Sequence, residues 1–307
     1  MKVGFIGFGE VTSKLTRRLL TRRLYDNDIE VISSTEGRSE KTKKIAEDSL
    51  ATIVDSFEEV AISSDILISA TTPYEALDVA KKYGPLVNGI FLDLNNISPK
   101  TTLEINSIFE NNRTYNSPYN SPYNSSYNSS YNRTYNSSYT STYSNNVSYV
   151  SIEETNSNFI KGAIMGSIKS PNSLIYVSGE NAEDLEVLND YGLNIQAISE
   201  NVQDSAYIKM LRSIYTKGVT ALLHEVFDIS ESMGLTKELF ESLINTEGEN
   251  FQEQTKSRIS SLANTHERKF QEIDGILEFL EEFSDKKGID FDLTLTKATK
   301  NKFKDIK

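Results

Sequence analysis

Met1-Lys-Val-Gly-Phe-Ile-Gly-Phe-Gly-Glu-Val-Thr12 is the stretch of this sequence that decides the fold. Residues 3–6 are a short apolar run with β-branched ends, which is typical of a buried strand. The run breaks at Gly7-Phe8-Gly9, and apolar residues then recur at helical spacing over residues 11–20. A strand, a glycine turn and a helix in this order predict the first unit of a dinucleotide-binding fold.

The glycine turn has the properties that binding of a pyrophosphate requires. Gly7 permits the tight turn, and Gly9 lacks a Cβ atom, so that a phosphate group can approach the backbone. The helix that follows offers free N–H groups to the same anion. We therefore predict that the cofactor contacts Gly7, Phe8, Gly9, Glu10 and Val11. The third position of the fingerprint, usually Gly or Ala, is Thr12, for which the sequence gives no reason.

Length and composition narrow the class of protein. The 307 residues, 37% of them hydrophobic, are enough for two domains with sizeable cores. The net charge of −12 argues against a nucleic-acid or membrane partner, since both need basic patches. With no Cys and two His, we expect no metal site. We recognise no signal peptide and no apolar run of the ~18–20 residues that a membrane span needs, so we expect a cytoplasmic protein.

Hydroxyl groups and a cation follow the second predicted strand. A fold that binds NAD usually has Asp or Glu at this strand end, where the carboxylate binds the ribose 2′-OH. Here the strand ends in Ser33 and Ser34, and Arg38 and Ser39 follow. Because a 2′-phosphate needs hydrogen-bond donors and positive charge, these residues favour NADP over NAD. Glu36, which lies among them, keeps NAD as the alternative.

Short strands and helices alternate over residues 1–200, which predicts an α/β domain with a Rossmann-type doubly wound parallel sheet. Ligands of such sheets bind beyond the carboxyl ends of the strands. Two polar segments lie at predicted strand ends. We predict that Thr71, Thr72 and Pro73 contact the cofactor and that Asn95 and Asn96 contact the substrate.

A low-complexity segment at residues 111–146 interrupts this domain. Tyrosines recur there at every fourth residue from Tyr115 to Tyr143, separated mostly by Asn-Ser-Ser or Asn-Ser-Pro. The segment has almost no aliphatic residues to build a core, which predicts a disordered or weakly structured insertion. A segment that self-associates through its tyrosines is the alternative.

The strand patterns end near residue 200, and residues 201–307 predict a separate all-α domain. Its first helix is predicted over residues 206–233 and ends at Gly234, a common residue after a helix C-terminus. We expect the substrate to bind in a cleft between the two domains. The small-residue loop at Gly166 and Ser167 follows a predicted strand, so we expect its backbone to approach the substrate.

Four stretches in this order resemble the β-hydroxyacid dehydrogenase family, which includes 6-phosphogluconate and 3-hydroxyisobutyrate dehydrogenases. Gly7-x-Gly9 matches the family's cofactor turn, and Asp93-Leu-Asn-Asn-Ile-Ser-Pro99 is similar to its Asp-x-Ser-Thr-x-x-Pro or Asp-x-Gly-Asn motif. Residues 159–167 resemble its substrate loop, and Lys209 lies where the family has its catalytic lysine. The sequence from Lys209 to Gly218 most resembles a poorly characterised branch of this family that has its own C-terminal helical domain.

The resemblance implies an NADP-dependent oxidoreductase that transfers a hydride between a nicotinamide cofactor and a small hydroxy acid. Lys209 would be the general base or acid. Arg212 lies three residues further along the predicted helix, near the same face, where it either binds the carboxylate or phosphate of a small anionic substrate or forms a surface ion pair. The resemblance also implies a homodimer formed through the helical domain. Ser213 replaces the family's Asn, and residues 161–165 depart from its substrate loop. A nucleotide-binding protein with little or no catalysis, and a reductase of an imine or keto acid, therefore remain alternatives.

Overall fold

The computed structural model describes residues 1–21, 29–115, 158–170, 173–262 and 264–306. These residues divide into two compact units, Met1–Ala206 and Tyr207–Lys307. The first residues of the predicted insertion at 111–146 continue a helix that ends at Tyr115. The remainder of that insertion lies outside the described residues.

Eight strands of the described part of the chain form one sheet in the first unit, in the order β3-β2-β1-β4-β5-β6-β7-β8. Strands β1 to β6 are parallel. The chain adds β2 and β3 on one side of β1 and then β4, β5 and β6 on its other side. The predicted Rossmann-type doubly wound sheet is therefore confirmed. The strands are β1 (Lys2–Ile6), β2 (Glu30–Ser34), β3 (Thr52–Val54), β4 (Ile66–Ser69), β5 (Ile90–Asp93), β6 (Asn158–Met165), β7 (Leu174–Ser178) and β8 (Ile195–Ser199).

Helices cover both faces of this sheet. Val3 and Phe5 of β1 belong to one apolar core and Ile6 to the other, and all three side chains are fully buried. A central parallel strand needs apolar residues on both faces, which explains its continuous apolar run. The α-helices are α1 (Glu10–Thr21), α2 (Glu40–Glu47), α3 (Phe57–Ser63), α4 (Ala76–Tyr83) and α5 (Pro99–Tyr115), and Gly84–Leu86 and Ala182–Asn189 are 3₁₀-helices.

Helix α5 is an element that the sequence patterns did not predict. Pro99 occupies its first turn, where a missing N–H costs nothing, and the Thr101 N–H donates to Ser98 Oγ at 3.1 Å as a cap. The buried Phe109 ring stacks on Phe159 with 5.4 Å between ring centroids. The Asn-rich end of this helix resembles the following insertion in composition, and this hid the helix in the sequence.

Strand β7 runs antiparallel to β6, which differs from an all-parallel sheet. Residues 166–173 connect the two strands, and a parallel pair would need a crossover of roughly a dozen residues or more. The short connection therefore forces the antiparallel return. Strand β8 is again parallel to β7, after the 3₁₀-helix between them.

The described residues of the second unit are helical. They form most of α6 (Asp204–Met233), whose first turn belongs to the first unit, and α7 (Thr236–Glu247), α8 (Phe251–Ser260), α9 (His266–Lys287) and α10 (Thr294–Asp305). Thr296, Thr299 and Phe303 form the buried face of α10. Because two of these residues are threonines, apolar periodicity did not reveal this helix. None of the helices in the described ranges is both long and apolar enough to span a bilayer.

Candidate functional site

The glycine turn after β1 needs glycine at one position for steric reasons. Gly7 has φ +95°, and a Cβ atom there would lie 2.7 Å from the Ala70 carbonyl oxygen. At Gly9, by contrast, an added Cβ would meet nothing within 4 Å. The space in front of Gly9 is thus open to a ligand, beside the N-terminus of α1. Backbone N–H groups at such a terminus bind phosphate.

Thr12 has a clear role in the turn. Its side chain is fully buried, and its Oγ1 donates a hydrogen bond to the Gly7 carbonyl oxygen at 2.7 Å. The hydroxyl therefore ties the first turn of α1 back to the glycine turn. Gly or Ala, the usual residues at this position, would lack this bond. Thr12 therefore stabilises the turn although it departs from the fingerprint.

The other residues predicted at the turn differ in exposure. Phe8 has a buried side chain, so only its backbone is available to a cofactor, and Val11 is half-buried. Glu10 is exposed at the first position of α1, and its carboxylate lies 3.4 Å from the Lys169 ammonium. This cation offsets a negative charge beside the place where a pyrophosphate would bind.

Arg38 lies in the loop after β2 and is held on two sides. Its guanidinium lies 5.2 Å from the centroid of the Phe57 ring, and its Nη1 lies 3.7 Å from Glu75 Oε1. Its Nε atom is buried and has no hydrogen-bond partner among the described residues. A partly buried guanidinium with an unused donor is suited to an anion such as a phosphate.

The remaining polar residues after β2 have structural partners. Ser33 donates to the Phe5 carbonyl oxygen at 2.9 Å, and Ser34 donates to the Asp55 carbonyl oxygen at 3.3 Å. Both serines are fully buried, and their predicted contact with the cofactor stays a prediction. Ser39 caps α2, where its Oγ accepts the Thr42 N–H at 3.4 Å.

Glu36, which kept NAD open as an alternative, binds elsewhere in the domain. The Phe57 N–H donates to Glu36 Oε2 at 3.4 Å, which places the carboxylate at the N-terminus of α3. A helix N-terminus favours such a negative charge. Glu36 therefore contacts α3 through one carboxylate oxygen, and its side chain is exposed.

Thr71, Thr72 and Pro73 form the loop after β4, next to the glycine turn. Glu75 Oε2 accepts hydrogen bonds from the Thr72 N–H at 3.2 Å and from Thr72 Oγ1 at 2.9 Å. Burial raises the pKa of Glu75, but the Thr72 hydrogen bonds and the charge of Arg38 outweigh burial and lower it below its usual value. No sequence pattern distinguishes Glu75, since a carboxylate at the start of a helix is common.

A buried ion pair joins the end of β5 to the middle of β6. Lys161 is 1% exposed, and its Nζ lies 2.9 Å from Asp93 Oδ1. The same ammonium donates to the carbonyl oxygens of Asp93 at 3.1 Å, Asn95 at 2.8 Å and Gly162 at 2.6 Å. Each charge is thus paired and hydrogen-bonded, as a buried charge must be. In the sequence, Lys161 is visible only as a departure from the substrate loop of the β-hydroxyacid dehydrogenases.

This pair sets the position of the two predicted substrate residues after β5. Asn95 is buried, and its Nδ2 donates to Asp93 Oδ2 at 2.6 Å and to Ser69 Oγ at 2.9 Å. Asn96 follows it and is exposed. The geometry therefore gives Asn95 a role in holding the loop and leaves the Asn96 side chain free to face solvent or a ligand.

The loop of Gly166 and Ser167 is fixed onto α1. Arg18 donates to the carbonyl oxygens of Ile168 and Ser170, both at 2.6 Å, and to Ser173 Oγ at 2.8 Å. Burial lowers the pKa of Arg18 from its ordinary value, which still leaves a cation at neutral pH. A positive φ of +97° at Gly166 turns the chain away from β6.

The predicted catalytic residues lie on α6 in the second unit. Lys209 and Ser213 are half-buried and lie four residues apart, so they share one face of the helix, while Arg212 is exposed. One turn further, buried Lys217 lies 2.5 Å from Glu272 of α9. The geometry of the second unit assigns none of these side chains to a substrate, and their roles stay predictions.

Known proteins resemble this chain at the level of sequence. Residues 2–96 match the family described as NADP oxidoreductase, coenzyme F420-dependent. An uncharacterized 28.5 kDa protein in the 7S RNA 5′ region of Methanothermus fervidus is 36% identical over 306 residues, which cover 100% of this chain and 99% of that protein. A solved conserved protein of unknown function, reported to have structural similarity with 3-hydroxyacid dehydrogenases, is 33% identical with a TM-score of 0.69 over 99% of this chain and 96% of its own.

Two more distant structures share the fold alone. A 3-hydroxyisobutyrate dehydrogenase from Salmonella typhimurium is 12% identical, with a TM-score of 0.64 over 99% of this chain and 93% of its own. An imine reductase variant from Myxococcus stipitatus, solved with NAD⁺, is 14% identical, with a TM-score of 0.56 over 99% and 92%.

The sheet and the glycine turn define a nicotinamide-binding oxidoreductase fold of the hydroxyacid dehydrogenase type. The imine reductase shares this fold. The predicted resemblance to hydroxyacid dehydrogenases is confirmed. Within this class, the chain belongs to the same family as the Methanothermus fervidus protein and the solved conserved protein of unknown function.

Replacement of Lys161 by Met is expected to lower the free energy of unfolding by roughly 3–5 kcal/mol, because Asp93 would remain buried without its partner. Urea denaturation followed by circular dichroism measures the change. The matched control is Lys169→Met, since that lysine is exposed and its pair with Glu10 contributes about 0–1 kcal/mol. An equal effect of the two substitutions would contradict the buried pair.

Proposed function

We propose that this protein is an NADP-dependent oxidoreductase that transfers a hydride between the nicotinamide and a small hydroxy acid. The arrangement of two residues in the loop after β2, Glu36 and Arg38, supports the choice of NADP. Arg38 is partly buried with an unused donor, while Glu36 is engaged at the N-terminus of α3. A 2′-phosphate needs the first of these residues, and a ribose diol would need the second to be free.

The residues of the turn fit the rest of such a cofactor. The open space at Gly9 admits a pyrophosphate to the backbone of the α1 N-terminus, and Lys169 offsets the charge of Glu10 beside it. Gly7 and Thr12 hold this turn in shape. The bound cofactor supplies the hydride acceptor or donor of the reaction.

In the proposed reaction, Lys209 moves the proton. As the hydride leaves the carbon that bears the hydroxyl, the neutral Lys209 amine takes the hydroxyl proton, and a carbonyl forms. In the reverse direction the ammonium returns this proton to the oxygen. Arg212 would bind the carboxylate or phosphate of a small anionic substrate, while Asn96, Gly166 and Ser167 would donate neutral hydrogen bonds to it. Ser213 would occupy the position of the family's Asn with a shorter donor.

Reduction of an imine or keto acid is the second candidate within the same chemistry. It is favoured by the fold shared with an imine reductase, since protonation by Lys209 would serve an imine nitrogen as well as a ketone oxygen. A nucleotide-binding protein with little or no catalysis is the candidate from another class, and Ser213 is the observation that favours it.

Replacement of Arg38 by Ala is expected to weaken NADPH binding roughly tenfold to a hundredfold and to leave NADH binding unchanged. The loss of one hydrogen bond between the charged guanidinium and the 2′-phosphate is expected to reduce the binding free energy by about 1.5–3 kcal/mol. Fluorescence titration of the two reduced cofactors measures both affinities. Equal affinities for NADPH and NADH in the unaltered protein, unchanged by the substitution, would contradict the choice of NADP.

Replacement of Lys209 by Ala is expected to lower turnover roughly 10²- to 10⁴-fold without loss of NADPH binding, since general acid–base catalysis contributes this much. A screen of hydroxy acids, keto acids and imines, read by NADPH absorbance, first identifies a substrate. Lys237→Ala is the control, because that lysine is exposed on α7. Full turnover in Lys209→Ala would reject the lysine, whereas NADPH binding with no turnover on any compound would favour the non-catalytic alternative.

We also propose that the protein forms a homodimer through α6. Four apolar residues with exposed side chains recur along this helix at intervals of seven: Ile208 at 40%, Tyr215 at 66%, Leu222 at 60% and Ile229 at 50%. Tyr215 and Leu222 border a groove of about 450 Å³ between α6 and α10. A regular exposed apolar stripe of this kind is typical of a helix that packs against another helix.

The spacing of the stripe fits a second copy in antiparallel orientation. Pairing about the midpoint of Tyr215 and Leu222 would place Tyr215 of one copy against Leu222 of the other. A two-fold interface is self-complementary in this manner.

Leu222→Glu is expected to convert a dimer into a monomer, because two buried carboxylates would face the apolar stripe of the partner copy. Sedimentation velocity measures the mass of the particle. Leu50→Glu, at a residue that is 76% exposed in the first unit, is the matched control and should leave the dimer intact. A monomeric unaltered protein at micromolar concentration would contradict the proposal.

A further inference from the structure

One ion pair connects the two loops that flank the glycine turn. Strands β2 and β4 lie on either side of β1 in the sheet, so the loops after them lie on either side of the turn after β1. Arg38 lies in the first loop and Glu75 at the end of the second. Their 3.7 Å contact, between Nη1 and Oε1, therefore joins these loops at the carboxyl edge where a dinucleotide binds.

Glu75 is held in this place by its own loop. Its Oε2 accepts both the N–H and the hydroxyl of Thr72, and its Oε1 lies toward Arg38. The hydrogen bonds and the cation keep its pKa low, so Glu75 is a carboxylate at neutral pH. It also precedes the first residue of α4, where the helix N-terminus favours a negative charge.

Arg38 is held just as firmly on its other side. Its guanidinium lies over the Phe57 ring, and the Nε atom is buried without a hydrogen-bond partner in the described ranges. The guanidinium therefore has limited freedom to reach an anion elsewhere. The contact between Arg38 and Glu75 is an ion pair that is longer than a hydrogen bond. A phosphate is attracted to the same guanidinium charge, so the two anions would compete for Arg38.

We propose that Glu75 determines the cofactor specificity of this protein by competing with the 2′-phosphate of NADP for Arg38. This inference rests on the proposed function, because it concerns the same cofactor site. The 2′-phosphate of NADP would have to share the Arg38 guanidinium with this carboxylate and to bind beside its negative charge. NAD carries no 2′-phosphate and meets neither cost. Glu75 thus narrows the preference for NADP that Arg38 alone would give.

Glu75→Gln tests this inference, because the glutamine removes the charge and retains an oxygen that can accept the Thr72 hydrogen bonds. We expect NADPH to bind roughly threefold to tenfold more tightly, because the variant lacks both the partly exposed ion pair with Arg38 and the repulsion between Glu75 and the 2′-phosphate. NADH binding should stay within about twofold. Fluorescence titration of the intact protein at fixed ionic strength measures both dissociation constants.

The matched control is Glu58→Gln. Glu58 pairs with Lys82 at 2.8 Å in the same unit, so its substitution changes the net charge equally without touching Arg38. We expect no change beyond about twofold for either cofactor. In the Arg38→Ala background, the gain from Glu75→Gln should fall below about twofold, since the competition requires the guanidinium.

Three results would overturn the inference. Unchanged NADPH affinity in Glu75→Gln would show that the carboxylate does not compete, and it would leave the proposed oxidoreductase intact. Weaker NADH binding in the same variant would make Glu75 a ligand of the ribose diol. Failure of the unaltered protein to bind either cofactor would reject the proposed function together with the inference.

Discussion

The steric constraint at Gly7 is the one on which the rest of the first unit depends. The turn after β1 packs against the backbone of Ala70 so closely that a Cβ atom at Gly7 would lie 2.7 Å from a carbonyl oxygen. The positive φ of Gly7 then directs the chain into α1, and Thr12 holds this helix to the turn with a buried hydrogen bond. The N-terminus of α1, with its open backbone N–H groups, therefore lies beside β1, the strand that has β2 on one side and β4 on the other.

A second constraint acts between the end of β5 and the middle of β6. The buried ammonium of Lys161 binds the carboxylate of Asp93 and three backbone carbonyl oxygens, and so it replaces water for groups that would otherwise be buried unpaired. The same network continues through Ser205 Oγ, which donates to the Lys161 carbonyl oxygen at 2.9 Å and accepts from Ser178 Oγ at 2.9 Å. It thus connects the loop of Asn95 with the first turn of α6.

Two carboxylates near the carboxyl end of β2 have different partners. Glu36 accepts a hydrogen bond from the backbone of α3, whereas Glu75 binds Thr72 and lies 3.7 Å from Arg38. Of these two contacts, only that of Glu75 involves Arg38, the cation that the proposed function assigns to a phosphate. The local arrangement of hydrogen bonds and ion pairs, and not the net charge, thus distinguishes the two carboxylates.

The sequence by itself determined the α/β class, the glycine turn and the nicotinamide-binding character, because strand and helix periodicity and the steric freedom of glycine are local properties. It missed α5, whose Asn-rich end resembles the insertion, and α10, whose buried face contains threonines. Only the tertiary structure decided that Lys161 is a buried ion-pair partner, that Glu36 is engaged with α3 and that Glu75 lies against Arg38. These contacts join residues that are far apart in the chain. Sequence periodicity does not indicate which distant residue a charged side chain contacts, so the partner is known only from the folded structure.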